Sequence, residues 1–313
     1  MTDIATLTLN PTIDRSASID KVVPDKKLHC HGERFDPGGG GINVAAAITK
    51  LGGQAIAFWT CGGPVGELLK DLLGSRGMQQ SPISIEQNTR ENVIIYEEHT
   101  EQQFRFGMPG PELTEQEQQN CLETVAKLDP VPRFLVLSGS LPPGVPEDFY
   151  GQLIATAPDS TKVVLDTRGP ALKKGIEQEV FLIKPNQREL GDLAGQSIES
   201  DAEAHDAARR LIDKDKVEAV LLSLGRGGVM LVSREEHHRI AAPTVSIRSK
   251  IGAGDSTVAG TVLALQRGSS LYEAAQFGVA CGTAAVMTAG TELCRREDAE
   301  KLFQEIAAEA QHA

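Results

Sequence analysis

Short, unbroken apolar runs alternate along this chain with amphipathic stretches of helical length, and no other feature constrains the fold as much. The runs fall at 4–9, 55–60, 134–137, 163–166, 180–184, 220–224, 229–232 and 245–247. Several are continuous and β-branched, as strands buried on both faces of a parallel sheet are. Helix-like segments lie between them at 42–51, 65–75, 115–128, 147–157, 202–213 and 255–266, and two more follow at 271–289 and 296–310. Strand–helix alternation predicts one α/β domain over 1–313, a mostly parallel central sheet flanked by helices. Such sheets bind ligands beyond the carboxyl ends of their strands, so chemistry is expected there. Residues 12–34 and 88–107 break the rhythm with polar, β-like patterns and are expected to form a small inserted β-sheet, a lid.

Charge and cysteine usage narrow the functional classes. The 313 residues carry a net charge of −12, which disfavours nucleic acid and anionic membranes as partners. No run approaches the roughly 18–20 apolar residues of a membrane span, and Met1-Thr2-Asp3-Ile4 lacks the basic, apolar opening of a signal peptide. Cys30, Cys61, Cys121, Cys281 and Cys294 are odd in number and far apart, which fits a reducing cytoplasm better than a disulfide framework or a zinc site.

Four motifs could carry chemistry. Ile251-Gly252-Ala253-Gly254-Asp255-Ser256 is expected to follow a strand and open a helix, where backbone amides can crowd an anion and Asp255 can act as a base or as a helix cap. In Pro37-Gly38-Gly39-Gly40-Gly41-Ile42-Asn43, four successive glycines suggest close backbone approach to a ligand, with a flexible linker as the alternative, and Asn43 suits a polyhydroxylated substrate. Lys184-Pro185-Asn186-Gln187-Arg188-Glu189 reads either as a capped helix start or as an Asn-x-x-Glu pair holding Mg²⁺ through water. Ser223-Leu224-Gly225-Arg226-Gly227-Gly228 reads as a turn between strands or as a door for a nucleotide. There is no Walker A motif, Gly-x-Ser-x-Gly elbow or His-Glu-x-x-His site. His29, His31, His237 and His238 read as solvated loop residues.

Taken in order and spacing, these motifs resemble the ribokinase-like carbohydrate kinases, a family that includes the minor phosphofructokinases. Thr6-Leu7-Thr8-Leu9-Asn10-Pro11-Thr12-Ile13-Asp14 and Ser138-Gly139-Ser140-Leu141-Pro142-Pro143-Gly144 look like its sugar-phosphate branch. The resemblance implies an ATP- and Mg²⁺-dependent kinase with K⁺ as an optional activator. Asp255 would be the base, and the amides of Gly252, Ala253 and Gly254 an anion hole. Asp14, Gly39, Gly40, Asn43 and Ser138 would hold the sugar. Lys184, Asn186, Ser223, Gly225 and Gly228 would hold the nucleotide, with Asn186 and Glu189 serving Mg²⁺. Lys27, Arg90 and Arg105, three cations in the lid segments of an acidic chain, match phosphate-binding positions and favour a phosphosugar over a neutral one. Ala46 departs from the basic residue many such members carry, and Thr288 and Glu292 depart from the residues expected near a monovalent-cation site.

The substrate expected from this is fructose 6-phosphate, converted to fructose 1,6-bisphosphate. Tagatose 6-phosphate and fructose 1-phosphate remain open, because the same cations can meet a phosphate at either end of a ketohexose. A reading of another class is a non-catalytic sugar-phosphate sensor, against which the retained Asp255 and glycine loop argue. The lid is expected to pair across a homodimer.

Overall fold

The computed structural model describes residues 3–214 and 216–310, so both ends of the expected 1–313 domain lie outside the described residues. Nine strands form the main sheet: β1 Ile4–Thr8, β4 Ile56–Cys61, β5 Gln79–Ser84, β8 Phe134–Ser138, β9 Lys162–Asp166, β10 Val180–Ile183, β11 Val217–Ser223, β12 Val229–Ser233 and β13 His237–Ile240. Their spatial order is β13-β12-β11-β10-β9-β8-β1-β4-β5. Every pairing from β11 through to β5 is parallel, and β12 and β13 add on antiparallel. A second sheet of β2 Thr12–Ile19, β3 His31–Gly38, β6 Arg90–Glu97 and β7 Gln102–Phe106 has the order β3-β2-β6-β7.

Among the described residues, ten helices pack around the main sheet. Helices α1 Gly40–Lys50, α2 Gly63–Ser75, α8 Ala253–Gln266, α9 Leu271–Val286 and α10 Arg296–Ala310 contribute to one apolar core. Helices α3 Glu115–Ala126, α4 Phe149–Thr156, α5 Gly169–Gly175, α6 Gln187–Ala194 and α7 Asp201–Ile212 build a second on the opposite face. β1 serves both: Ile4 points into the first core, Ala5 and Leu7 into the second. A strand buried on both faces needs no polar alternation, which is why its sequence is a continuous apolar run.

Local signals set the helix starts. Thr114–Glu117, Asn186–Glu189, Ser200–Glu203 and Ser270–Glu273 are reciprocal capping boxes, each cap contributing about 1 kcal/mol. Helix α8 is buried almost all round, and its small residues let it lie close against α9.

Several expectations need correction. Residues 245–247 are not a strand; they run as irregular chain, so the Gly-rich motif at 251–256 is preceded by a loop. The two sheet edges, β5 and β13, were not expected from the apolar pattern. They are polar, and β5 carries Pro82, as edge strands with one side in water allow. The short helix α5 also escaped it, while α6 is the helix that the capped-start reading of Asn186–Glu189 offered. His237 and His238 are strand residues, with His238 Nε2 2.8 Å from Glu236 Oε2 and its ring stacked on Tyr272, while His31 opens β3.

Candidate active site

The parallel strands bring a set of polar groups to one edge of the sheet. Ser138, Asp166 and Ser223 end β8, β9 and β11, and Lys184 follows β10 directly. At the same edge α1 and α8 begin, so two helix N-termini face the crevice.

Helix α1 can start there because its first turn is stripped to backbone. A Cβ built on Gly40 would stand 2.2 Å from Ser138 Oγ and 2.9 Å from the Gly139 nitrogen. No side chain of its own caps α1; Thr8 Oγ1, from the end of β1, accepts from the Ile42 amide at 2.9 Å instead. One turn later, Asn43 Nδ2 donates to Asp255 Oδ2 at 2.7 Å.

Asp255 is the third residue of α8, behind Gly252 at φ 72°, a left-handed conformation suited to glycine. Its side chain does not cap the helix, so the cap alternative is set aside. Among the described hydrogen bonds, the Gly252, Ala253 and Gly254 amides donate to no protein acceptor. Burial pushes the Asp255 carboxyl up to about 6; the Asp166 carboxylate adds to this, while the Asn43 hydrogen bond and the Lys184 ammonium oppose it. Lys184 Nζ lies 3.2 Å from Asp166 Oδ1, both side chains being 15% exposed or less. Burial works against its charge, yet Asp166, Asp255 and Glu189 together leave its pKa raised. A Cβ on Gly254 would stand 3.3 Å from that ammonium, so a fixed cation lies beside the first turn of α8.

On the α8 side opens a cleft of about 540 Å³ lined by Lys184, Asn186, Ser223, Gly225, Gly228, Ala253 and Gly254. Val229, Val245, Ile247, Val279 and Val286 give it an apolar wall. Ser223 leads through the turn Gly225–Gly227 into β12, so the motif is both a turn between strands and a lining of the cleft. Asn186 and Glu189 cap α6 reciprocally at 2.9 Å each way. Among the described residues no three His, Cys, Asp or Glu side chains are grouped to grip a metal directly. The donor chemistry of Asn186, Glu189 and nearby Asp166 still suits Mg²⁺ bound through its waters.

On the α1 side stands the small sheet. Asp14 Oδ1 accepts from Asn92 Nδ2 at 2.9 Å. Burial pushes the Asp14 carboxyl up, against the pull of the Asn92 bond and the Arg105 and Arg90 guanidiniums. Arg90 is anchored by the carbonyls of Asn10 and Met108 at 3.0 and 2.9 Å, and Arg105 stands exposed on β7. Lys27 is not gathered with them. It sits exposed in the 20–30 loop past the far end of the β2–β3 hairpin, and Ile19, where that loop begins, is about 17 Å along the strand from Asp14.

Sequence reasoning missed Asp166 and Asn92. Asp166 had one available signal, its place as the last residue of a buried run, at the edge where ligands bind. Asn92 had none, because only the parallel pairing of β2 with β6 sets it opposite Asp14.

A model of the pfkB family carbohydrate kinases matches residues 5–298 of the chain. An ATP-dependent 6-phosphofructokinase isozyme 2 of Mycobacterium tuberculosis is 42% identical over 307 residues, covering 98% of this chain and 90% of that protein. A 1-phosphofructokinase of Borreliella burgdorferi is 32% identical over 310 residues, 98% of each. Among solved structures, phosphofructokinase-2 from Escherichia coli in complex with potassium superposes with a TM-score of 0.94 at 37% identity, covering 98% of this chain and 100% of that one.

Proposed function

The chain belongs to the pfkB family of carbohydrate kinases, and on that premise we propose that it transfers the γ-phosphoryl group of ATP to fructose 6-phosphate, giving fructose 1,6-bisphosphate. The observation that carries this reading is the Asn43–Asp255 hydrogen bond, which sets a carboxylate of raised pKa between the nucleotide-sized cleft and the Asp14, Arg90 and Arg105 cluster.

In this reading Asp14 and Asn43 hold sugar hydroxyls, and the backbone at Gly39 and Gly40, close to Ser138, shapes the floor beneath them. Arg90 and Arg105 meet the substrate's phosphate dianion; Lys27 stands outside that ring. ATP lies in the cleft over Ser223, Gly225 and Gly228. Asp255 takes the acceptor hydroxyl proton as its oxygen attacks the γ-phosphorus. Charge spreading over the γ-phosphoryl oxygens is met by the amides of Gly252, Ala253 and Gly254 and by Lys184; losing one such donor costs about 3–4 kcal/mol of barrier. Mg²⁺, held through water by Asn186 and Glu189, would neutralise charge on the phosphates. K⁺ activation is part of the proposal, with the carbonyl-rich turns near 249–251 and 288–292 as its place; there Ser249 Oγ already meets the Gly290 carbonyl at 2.7 Å.

The small sheet acts as a lid that excludes water. One of its faces carries Val93, Ile95, Phe104 and Phe106 partly or fully exposed, which supports pairing with a second copy. Among the described residues no helix is long and apolar enough to cross a membrane, and the five cysteines are free, which supports a cytoplasmic enzyme.

The test is ADP release with ATP and Mg²⁺ against fructose 6-phosphate, tagatose 6-phosphate, fructose 1-phosphate and free fructose. The expected result is turnover highest with fructose 6-phosphate. Preference for another phosphosugar would replace the substrate, preference for free fructose would remove the cation argument, and binding without turnover would turn the reading into a sensor.

A further inference from the structure

Asp36 stands directly across the β2–β3 pair from Asp14, so the two carboxylates share one face of the small sheet. Side chains opposite one another in an antiparallel pair have Cβ atoms about 5 Å apart, and like charges there repel. Asp36 is only 8% exposed, so water screens it poorly. Its main counter-charge comes from outside the sheet. Arg76, the residue that ends α2, donates from Nη2 to Asp36 Oδ1 at 2.8 Å. Arg34 also approaches, but at 3.5 Å and from a side chain 61% exposed against 45% for Arg76, so it is the weaker partner.

We propose that Arg76 is a positioning residue for the sugar phosphate: by pairing Asp36 it relieves the repulsion on Asp14 and ties the lid strand β3 to α2. This rests on the role given to Asp14 above. Without Arg76, Asp36 is left buried with one weak partner beside a second carboxylate. The repulsion then falls on Asp14 or drives the strands apart, and each outcome weakens Asp14 as an acceptor for a sugar hydroxyl. With Arg76 in place, burial and, as the smallest contribution, Asp36 push the Asp14 carboxyl up, against the Asn92 hydrogen bond and the Arg105 and Arg90 guanidiniums; loss of Arg76 enlarges the Asp36 contribution. Arg76 and Asp36 line a 330 Å³ pocket beside α1, which Asn43 also borders, and are absent from the lining of the nucleotide cleft. The effect is therefore expected on the sugar side rather than on ATP.

The experiment compares Arg76→Met, Arg76→Lys and the double variant Arg76→Met/Asp36→Asn with the wild type. In Arg76→Met, KM for fructose 6-phosphate rises by about 5–10-fold, while kcat and KM for ATP stay within about 2-fold. Arg76→Lys keeps the charge and stays near wild type. The double variant returns the sugar-phosphate KM to within about 2-fold of wild type, because the repelling charge is gone. A residue that merely braced α2 would not be rescued by removing Asp36. An unchanged KM in Arg76→Met, or a raised KM that Asp36→Asn leaves raised, overturns the proposal. If the wild type itself fails on fructose 6-phosphate, the substrate reading falls and amide exchange of residues 12–19 and 31–38 decides. Faster exchange in Arg76→Met, slowed again in the double variant, supports the pairing role; equal exchange in all variants overturns it.

Discussion

As the proposed base, Asp255 meets two opposed demands: it must be ionised, yet burial and the nearby Asp166 carboxylate push its carboxyl up to about 6 against the pull of Asn43 and Lys184. The rate limb follows directly. kcat/KM should fall about tenfold per pH unit below pH 6 and level off above it, read from ADP release across a buffer series; a profile flat down to pH 5 would remove Asp255 as the base. The same shift has a stability cost. A carboxyl that binds its proton more tightly folded than unfolded adds stability at low pH and loses it as pH rises through about 6, so the ionised base costs ~1–3 kcal/mol at neutral pH. Asp255 was legible because Gly-Ala-Gly-Asp reads as a helix-opening glycine motif, and the resemblance to the carbohydrate kinases chose base over cap. Asp166, which helps to tune it, was not. Its neighbours in sequence are those of any buried strand, and only the sheet order that sets β9 beside β10 brings it to Lys184.

At the scale of elements, the site depends on how closely α1 can approach the end of β8. Gly40→Ala would drive a methyl group into Ser138 and the Gly139 backbone. Overpacking of this kind costs about 1–3 kcal/mol, and the shift moves Asn43 away from Asp255. We expect a lower thermal midpoint together with turnover reduced at least tenfold. A variant with wild-type melting and rate would show that the approach is not needed. The elements of the interior were largely legible, since burial on both faces leaves continuous apolar runs and amphipathic helices leave a helical period. The edges were not. β5 and β13 carry Gln, Ser, Pro and His because one side of each is in water, and the 245–247 run is apolar because it walls the nucleotide cleft rather than a sheet. Helix α1 begins with its Ile42 amide donating to Thr8 Oγ1, a cap supplied from another element that no local pattern announces.

At the scale of the molecule, the proposed reading assembles two half-sites on separate frames: a cleft for the nucleotide on the main sheet and a surface for the sugar on the small one. They meet in a contact between residues 212 positions apart, Asn43 and Asp255. The chain's motifs named the parts, but which of them meet depends on strand order and on the pairing of β2 with β6, both long-range properties. Lys27 shows the limit: grouped with Arg90 and Arg105 by segment, it lies in the exposed 20–30 loop, off the strands that hold those two. The most direct test of the account is Asp255→Asn, measured for turnover and for ATP binding on one preparation. The account predicts a loss of turnover by at least ~100-fold with ATP affinity within about 3-fold of wild type. Turnover near the wild-type rate would contradict it, since the group joining the two half-sites would then carry no chemistry.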